Sequence, residues 1–288
     1  MNRQRPLSFG IKTAQRHATH DALLDVWQEA ESIPIFEHAW LNDHFMDLNS
    51  TPTGPYLESW TLLAALAAQT RRLRVGVMVT DNTYRHPAIL AKMAATVDVI
   101  SHGRLNFGIG TGWSERQHLA YGIPLPPPGE RIRRLGEACE LIRQLWTEPL
   151  VTFEGRYYQL SEAPCDPKPL QKPSPPFVIG GDGEQTLKVI AKSADIWDCS
   201  VDSPEIYRQK SMLLENYCTA IGRDPATIER SRHISVDPSD LKAARLETRA
   251  YIEVGATHII YHVPVPAAQG ILRRLAEEVA SPLRAEYL

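Results

Sequence analysis

The chain alternates between short apolar segments and longer helical segments over almost its whole length. Eight segments are short, apolar and bounded by turn residues, as buried strands are, and each precedes a segment with helical spacing of apolar residues. Strands that alternate with helices favour a parallel sheet, and eight such units close a (β/α)8 barrel. The predicted strands are residues 7–12, 39–42, 73–79, 105–109, 177–179, 195–200, 231–236 and 258–262, and the predicted helices are 21–32, 56–70, 87–100, 130–145, 184–193, 204–221, 241–254 and 267–280.

One long segment interrupts this α/β alternation. Residues 148–176 contain seven prolines, and because proline lacks a backbone N–H we expect an irregular insertion between the fourth and fifth strands. A doubly wound open sheet is the alternative to a closed (β/α)8 TIM barrel, since both alternate strands with helices. A barrel of this size folds as one unit, so we expect a single domain over residues 1–288.

Composition narrows the classes of partner. With 43% hydrophobic and 23% charged residues, the chain can bury a large core, and its net charge of −3 without a long basic run argues against nucleic acid. No apolar run approaches the roughly 20 residues that span a bilayer, and the polar N-terminus, Met1 to Pro6, lacks a signal-peptide pattern. Four widely spaced cysteines indicate reduced thiols in a cytoplasmic protein. The histidines do not occur in pairs at the spacing of metal ligands, so the sequence does not predict a metal site.

Candidate functional residues follow four consecutive predicted strands. In a (β/α)8 barrel the active site lies where the strands end at their carboxyl termini, so residues that follow neighbouring strands predict one shared site. These residues are Asp43 and His44 after the second strand, Thr80 after the third, Gly110, Thr111 and Gly112 after the fourth, and Gly180 and Gly181 after the fifth.

Each of these motifs has a functional and a structural interpretation. A carboxylate such as Asp43 can orient a neighbouring imidazole such as His44 for proton transfer, although a loop histidine beside a helix-capping aspartate gives the same sequence. Glycine turns between a strand and a helix can bind a phosphate through backbone N–H groups and the helix dipole. Close packing of the glycines is the alternative.

Six segments, in order along the chain, resemble those of luciferase-like flavin-dependent oxidoreductases. The resemblance spans residues 9–223 and is closest to the branch that uses the deazaflavin coenzyme F420. The segments are 42–45 (NDHF), 58–60 (ESW), 82–87 (NTYRHP), 98–104 (DVISHGR), 105–131 with its glycines, and 175–181 (PPFVIGG).

The resemblance implies hydride transfer between coenzyme F420 and a small organic substrate. It assigns Asp43 to cofactor contact and His44 to proton transfer or to stabilisation of the reacting face. It also places Met78 and Val79 behind the ring as a strand bulge with a non-prolyl cis peptide. The remaining implied cofactor contacts are Thr80, Gly110, Thr111, Gly112, Gly180 and Gly181.

Trp113 departs from the sugar-phosphate dehydrogenases of the F420 branch, which carry a glutamate acid at this position. An indole does not donate a proton in that role, so the sequence argues against sugar-phosphate oxidation and predicts Trp40 and Trp113 as apolar walls of a substrate pocket. An FMN-dependent monooxygenase is the main alternative, and a flavin-binding protein without turnover is the other. We also expect a homodimer.

The other histidines are scattered and are interpreted as surface or structural residues. His86 is predicted to cap the following helix, and the alternative is that Arg85 or His86 reaches the cofactor tail. The scattered residues are His17, His20, His38, His102, His118 and His233.

Overall fold

Eight parallel strands form a closed barrel in the computed structural model, which describes residues 6–48 and 53–287. The ring closes because the third barrel strand pairs with both the second and the fourth, which confirms the predicted barrel over an open sheet. The barrel strands are β1 (Ser8–Thr13), β2 (Phe36–Leu41), β3 (Arg74–Val77), β5 (Leu105–Gly110), β8 (Phe177–Gly180), β9 (Ile196–Cys199), β10 (Glu229–Ser235) and β11 (His258–Val263).

The prediction of one domain over residues 1–288 extends beyond the described chain. Residues 1–5, 49–52 and 288 lie outside it, and so does most of the N-terminal stretch used for the signal-peptide prediction. Within the described residues, the four cysteines are buried and unpaired, and no helix is both long and apolar enough to cross a bilayer.

Helices surround the barrel, and each of the eight predicted helices has a counterpart, although the last, predicted over residues 267–280, begins at Ile271. His86 caps the third of them by accepting a hydrogen bond from Ala88 N, as predicted. The second begins three residues later than predicted because the Glu58 carboxylate caps it. The helices are α1 (His20–Ser32), α2 (Ser59–Gln69), α3 (Pro87–Ile100), α4 (Glu115–Tyr121), α5 (Pro128–Thr147), α6 (Glu184–Ser193), α7 (Pro204–Ala220), α8 (Leu241–Glu253), α9 (Ile271–Leu275) and α10 (Ser281–Glu286), with a π-helical turn over Ala276–Ala280.

Alternate residues of each strand face two separate cores. On β1, Phe9 and Ile11 belong to the large core between strands and helices. A second, smaller cluster fills the barrel interior and includes Trp40, whose ring packs so close to Gly76 that a Cβ there would lie 2.5 Å from Trp40 Cζ3. This two-residue period determines which strand residues reach the interior.

The insertion after α5 is more regular than predicted. The insertion lies between the fourth and fifth barrel strands as predicted, but two short antiparallel strands within it, β6 (Val151–Glu154) and β7 (Gln159–Ala163), form a hairpin that the sequence did not predict. The prolines restrict only the flanking residues, because none of them lies within either strand. Asp98, at the end of α3, anchors the later part of the insertion by accepting hydrogen bonds from Leu170 N and Gln171 N at 2.7 and 3.1 Å.

The third barrel strand ends earlier than predicted. β3 stops at Val77, the Met78–Val79 peptide is cis, and a two-residue strand β4 (Thr80–Asp81) then pairs with β5. The non-prolyl cis peptide is the one that the family resemblance implied.

Candidate active site

A cavity of about 520 Å³ opens at the carboxyl ends of the barrel strands. Of the site residues predicted on or after the second to fifth strands, it contains all but Trp40, and Trp113 also lines it. Residues from all eight strands line it, and they are Lys12, Asn42, Asp43, His44, Met78, Val79, Thr80, Asp81, Gly110, Thr111, Gly112, Trp113, Gly180, Gly181, Asp182, Asp198, Ser200, His233 and His262.

His44 presents a partly buried imidazole between two aromatic rings. Tyr56 and Trp113 contact it edge to face, with ring centroids 6.5 and 6.1 Å away. Burial lowers the His44 pKa, the charge on Lys12 lowers it further, and Asp43 opposes both effects. The buried Nδ1 atom has no hydrogen-bond partner among the described residues, so a neutral imidazole is free to bond to a ligand atom.

Of the two interpretations of the Asp43 and His44 pair, the structure favours a structural aspartate, because the Asp43 carboxylate bonds to other partners. Arg85 donates two hydrogen bonds to it, at 2.7 and 3.0 Å. Ser59 Oγ donates another at 2.5 Å, and the backbone N–H of Asp81 donates a fourth at 3.0 Å. Asp43 therefore ties together three segments of the pocket, and its contact with a cofactor stays a prediction.

Gly112 makes room for a neighbouring side chain. Its φ is +76°, and a Cβ at this position would lie 2.1 Å from Asp81 Oδ1. Gly110 and Gly180 likewise stand against Val79, where an added Cβ would lie 2.7 and 3.0 Å from Val79 Cγ2. Packing therefore accounts for these three glycines, and their role in cofactor binding stays a prediction.

The turn around Gly181 and Gly183 leads into a helix whose first N–H groups have no side-chain cap. Gly183 is the N-cap of α6 and supplies no side-chain hydrogen bond, whereas Ser114 caps α4 by accepting from Gln117 N. The first N–H groups of α6 thus have no side-chain cap, which suits an anionic group. Of the two glycine turns, this one fits the predicted phosphate site better.

The predicted threonines and tryptophans occupy different environments. Thr80 Oγ1 accepts a hydrogen bond from Trp60 Nε1 at 3.1 Å, whereas Trp113 is 67% exposed at the pocket mouth. Trp40 does not line the pocket, so that prediction was wrong. It is fully buried inside the barrel and donates from Nε1 to His38 Nδ1 at 2.7 Å.

Four titratable residues on β1, β9, β10 and β11 line the pocket and were not predicted as site residues. Lys12 Nζ donates to the Met78 carbonyl at 2.8 Å. Asp198 Oδ1 lies 2.9 Å from His233 Nε2, and His233 Nδ1 lies 2.9 Å from His262 Nε2. His233 was predicted to be a surface or structural residue, and its place in this chain corrects that prediction.

Burial and mutual charge shift the pKa of each member of this group. Burial lowers the Lys12 pKa to about 8, although Asp198 opposes the shift. Burial would raise the Asp198 pKa, but His233 and Lys12 outweigh it and leave the pKa below its ordinary value. Desolvation lowers the pKa of His233 and His262, and the Lys12 charge contributes to both shifts. Within the described chain, no group of three or more His, Cys, Asp or Glu side chains is arranged to hold a metal ion.

The alternation of side chains between the two faces of a strand is the signal that could have identified these residues. Gly10 and Lys12 share the inner face of β1, and Ile260 and His262 share that of β11. A charged or imidazole side chain at an inward position near the carboxyl end of a strand is costly to bury unless it serves the site.

Comparison with known proteins agrees with this geometry. The model of the luciferase-like monooxygenase family matches residues 7–281. An F420-dependent glucose-6-phosphate dehydrogenase of Kineococcus radiotolerans is 32% identical over 281 residues, which cover 95% of this chain and 80% of that protein.

Two solved structures show the same fold. An F420-dependent secondary alcohol dehydrogenase, in complex with an F420-acetone adduct, matches with a TM-score of 0.82 at 19% identity and covers 94% of this chain and 98% of its own. A monooxygenase from Streptomyces bottropensis matches with a TM-score of 0.78 at 20% identity and covers 98% of this chain and all of its own. The family model spans nearly the whole sequence, and the chain therefore belongs to the luciferase-like monooxygenase family.

Proposed function

We propose that this protein is an oxidoreductase that transfers a hydride between coenzyme F420 and a small organic substrate. The observation that carries the proposal is the neutral His44 imidazole, which lines the cavity at the strand ends and whose buried Nδ1 has no partner among the described residues. Relatives at about a third identity are named F420-dependent dehydrogenases, which supports this cofactor.

The pocket fits a flat ring with an anionic tail. Val79 lies between Gly110 and Gly180, so a ring meets an apolar surface without side chains from either glycine. The N–H groups at Gly183, which have no side-chain cap, suit the phosphate of the tail. When bound, coenzyme F420 supplies two-electron hydride chemistry.

The chain's own residues supply position, shielding and proton handling. His44 offers a hydrogen bond to the reacting centre, and Trp113 covers the mouth as an apolar surface. The Asp43 and Arg85 pair holds the segment that carries His44. Trp113 provides no acid, so we propose a substrate other than the sugar phosphate of the named relatives.

Cofactor choice is the direct test, and fluorescence quenching measures it. Titration at low ionic strength should give tighter binding of F420 than of FMN, and the difference should shrink with salt because the F420 tail is anionic. Tighter binding of FMN, or FMN that co-purifies from a host lacking F420, supports the monooxygenase alternative instead.

A second measurement separates an enzyme from a cofactor-binding protein. Alcohols or carbonyl compounds are mixed with the F420-loaded protein, and the absorbance of the cofactor is followed. Substrate-dependent reduction or oxidation supports the enzyme. No change with any substrate class supports a flavin-binding protein without turnover. The homodimer and the cytoplasmic location are proposals that rest on the sequence alone.

A further inference from the structure

We propose that Lys12 is a second proton-transfer residue of this site, and that Asp198 and His233 position it. The inference rests on the proposed function and deepens it, because a lysine that exchanges a proton with the substrate suits an alcohol or the corresponding carbonyl compound. It draws on a part of the pocket that the sequence motifs do not include.

The reaction itself requires two proton sites. When an alcohol is oxidised, the C–H bond breaks and both of its electrons leave with the hydride, while the O–H proton passes to a base and a carbonyl group forms. Bound coenzyme F420 would supply the hydride acceptor, and a proton donor beside it would stabilise the negative charge that develops there. His44 can provide one of these two proton-transfer sites. Trp113 has no titratable group for the other.

Lys12 stands at the centre of the pocket's charges. Its Nζ is held by the Met78 carbonyl at 2.8 Å, which fixes one of its three N–H donors and leaves the others for a ligand. The charged or titratable groups that face it are Asp198 from β9, His233 from β10, His262 from β11 and His44 after β2, and the Lys12 charge affects the pKa of each.

Two carboxylates near His44 in the same cavity suit this role less well. Asp43 is occupied by Arg85, Ser59 and a backbone N–H. Asp81 Oδ1 accepts two hydrogen bonds from Thr83, and its carboxylate packs against Gly112.

The titration of the remaining groups points the same way. The pKa of Asp198 and that of His262 lie below their ordinary values, so neither holds a proton near neutral pH. Burial lowers the Lys12 pKa to about 8, the range in which a lysine both accepts and donates.

The proton then has a defined course in each direction. In substrate oxidation, neutral Lys12 Nζ takes the hydroxyl proton as the carbonyl forms. In carbonyl reduction, the Lys12 ammonium returns it to the oxygen as the hydride reaches carbon. The charge on Asp198 stabilises the ammonium, and Asp198 Oδ1 lies 2.9 Å from His233 Nε2.

The first experiment measures Lys12 directly, without turnover. Protein labelled with ¹³Cε and ¹⁵Nζ in lysine is titrated by NMR, and Lys12 is assigned as the signal missing in Lys12→Met. We expect a midpoint near pH 8 that moves lower in Asp198→Asn, because that variant removes the charge favouring the ammonium. Lys242→Met, at an exposed position on α8, is the control. A midpoint near the ordinary lysine value of about 10.4 overturns the proposal.

The second experiment uses turnover and cofactor affinity together. Lys12→Met should lower kcat by about 10²–10⁴-fold, remove the rise of the oxidation rate with pH up to about 8, and preserve F420 affinity. Lys12→Arg keeps a charge that does not titrate, so it should lose as much activity as Lys12→Met. Recovery in Lys12→Arg, or full turnover in Lys12→Met, means that Lys12 transfers no proton.

The outcomes separate this proposal from the proposed function. If the wild-type protein oxidises alcohols with F420 and Lys12→Met does so equally well, the Lys12 proposal fails and the function stands. If the wild-type protein binds no F420, both fail.

Discussion

The Arg85 guanidinium and the Asp43 carboxylate form two parallel hydrogen bonds, of 2.7 and 3.0 Å, at the edge of the cavity. The Asp43 side chain is fully buried and that of Arg85 is 12% exposed. This bidentate pair joins the segment after β2 to the start of α3. It also explains why His44, next to Asp43 in the sequence, has a free Nδ1.

Removal of one partner should leave an uncompensated buried charge. Arg85→Met should lower the free energy of unfolding by about 3–5 kcal/mol, and Asp43→Asn added to it should recover part of the loss. Urea unfolding measures both. Arg274→Met is the matched control, because its partner Glu278 and Arg274 itself are each 49% exposed, and it should cost less than about 1 kcal/mol. Equal losses for the two arginines would contradict the structural role of the pair.

His44→Gln should separate catalysis from binding. Loss of proton transfer should lower kcat by about 10²–10⁴-fold, whereas F420 affinity should change little because the apolar and phosphate contacts remain. Steady-state rates and fluorescence titration give the two quantities. His20→Gln, on α1 and outside the pocket, should change neither. A His44→Gln enzyme with full turnover would show that the imidazole is structural.

Gly112 and Gly122 form a matched pair for the glycine turns. Both have positive φ, +76° and +65°, but a Cβ at Gly122 meets no atom within 4 Å whereas one at Gly112 meets Asp81. Gly122→Ala should therefore lower the free energy of unfolding only by the cost of a left-handed backbone conformation, about 1–2 kcal/mol. Gly112→Ala should cost more, and Asp81→Ala should recover the excess. If the two single variants are equally stable, close packing does not explain Gly112.

Buried neutral histidines should make stability fall in acid. Burial lowers the His258 pKa to about 3, so below about pH 6.5 the unfolded chain binds a proton that the folded chain does not. Stability is therefore lost as pH falls from about 6.5 towards 3, and His258 alone should contribute about 2 kcal/mol of loss by pH 5. Unfolding free energies at pH 7 and 5 should show a smaller decrease for His258→Asn. An identical pH dependence would rule out this origin.

The order of strands and helices is a property of local sequence. Residues 105–109 were predicted as a strand and β5 spans Leu105–Gly110, and residues 184–193 were predicted as a helix and form α6. Such elements are readable because hydrophobic period and capping residues act within a few positions. The hairpin β6 and β7 was missed because the density of prolines hid two short strands between them.

The site could be predicted only in part from the sequence, because its contacts join residues that are far apart along the chain. Asp43 and His44 were found because they follow a strand, but the sequence left open whether Asp43 orients His44, because Arg85, which binds the carboxylate, is more than 40 residues away. Trp40 was placed in the pocket although its inward position on β2 puts it inside the barrel. His233 was dismissed because Asp198 and His262 lie far from it in sequence.

The sequence by itself determined the alternation of eight strands and helices, the bounds of several of them, and the motifs that place the chain in its family. Only the tertiary structure decided which polar side chains meet. The reason is physical: barrel closure and strand register bring the carboxyl ends of β1, β9, β10 and β11 together, and no local pattern encodes the distance between Lys12, Asp198 and His262.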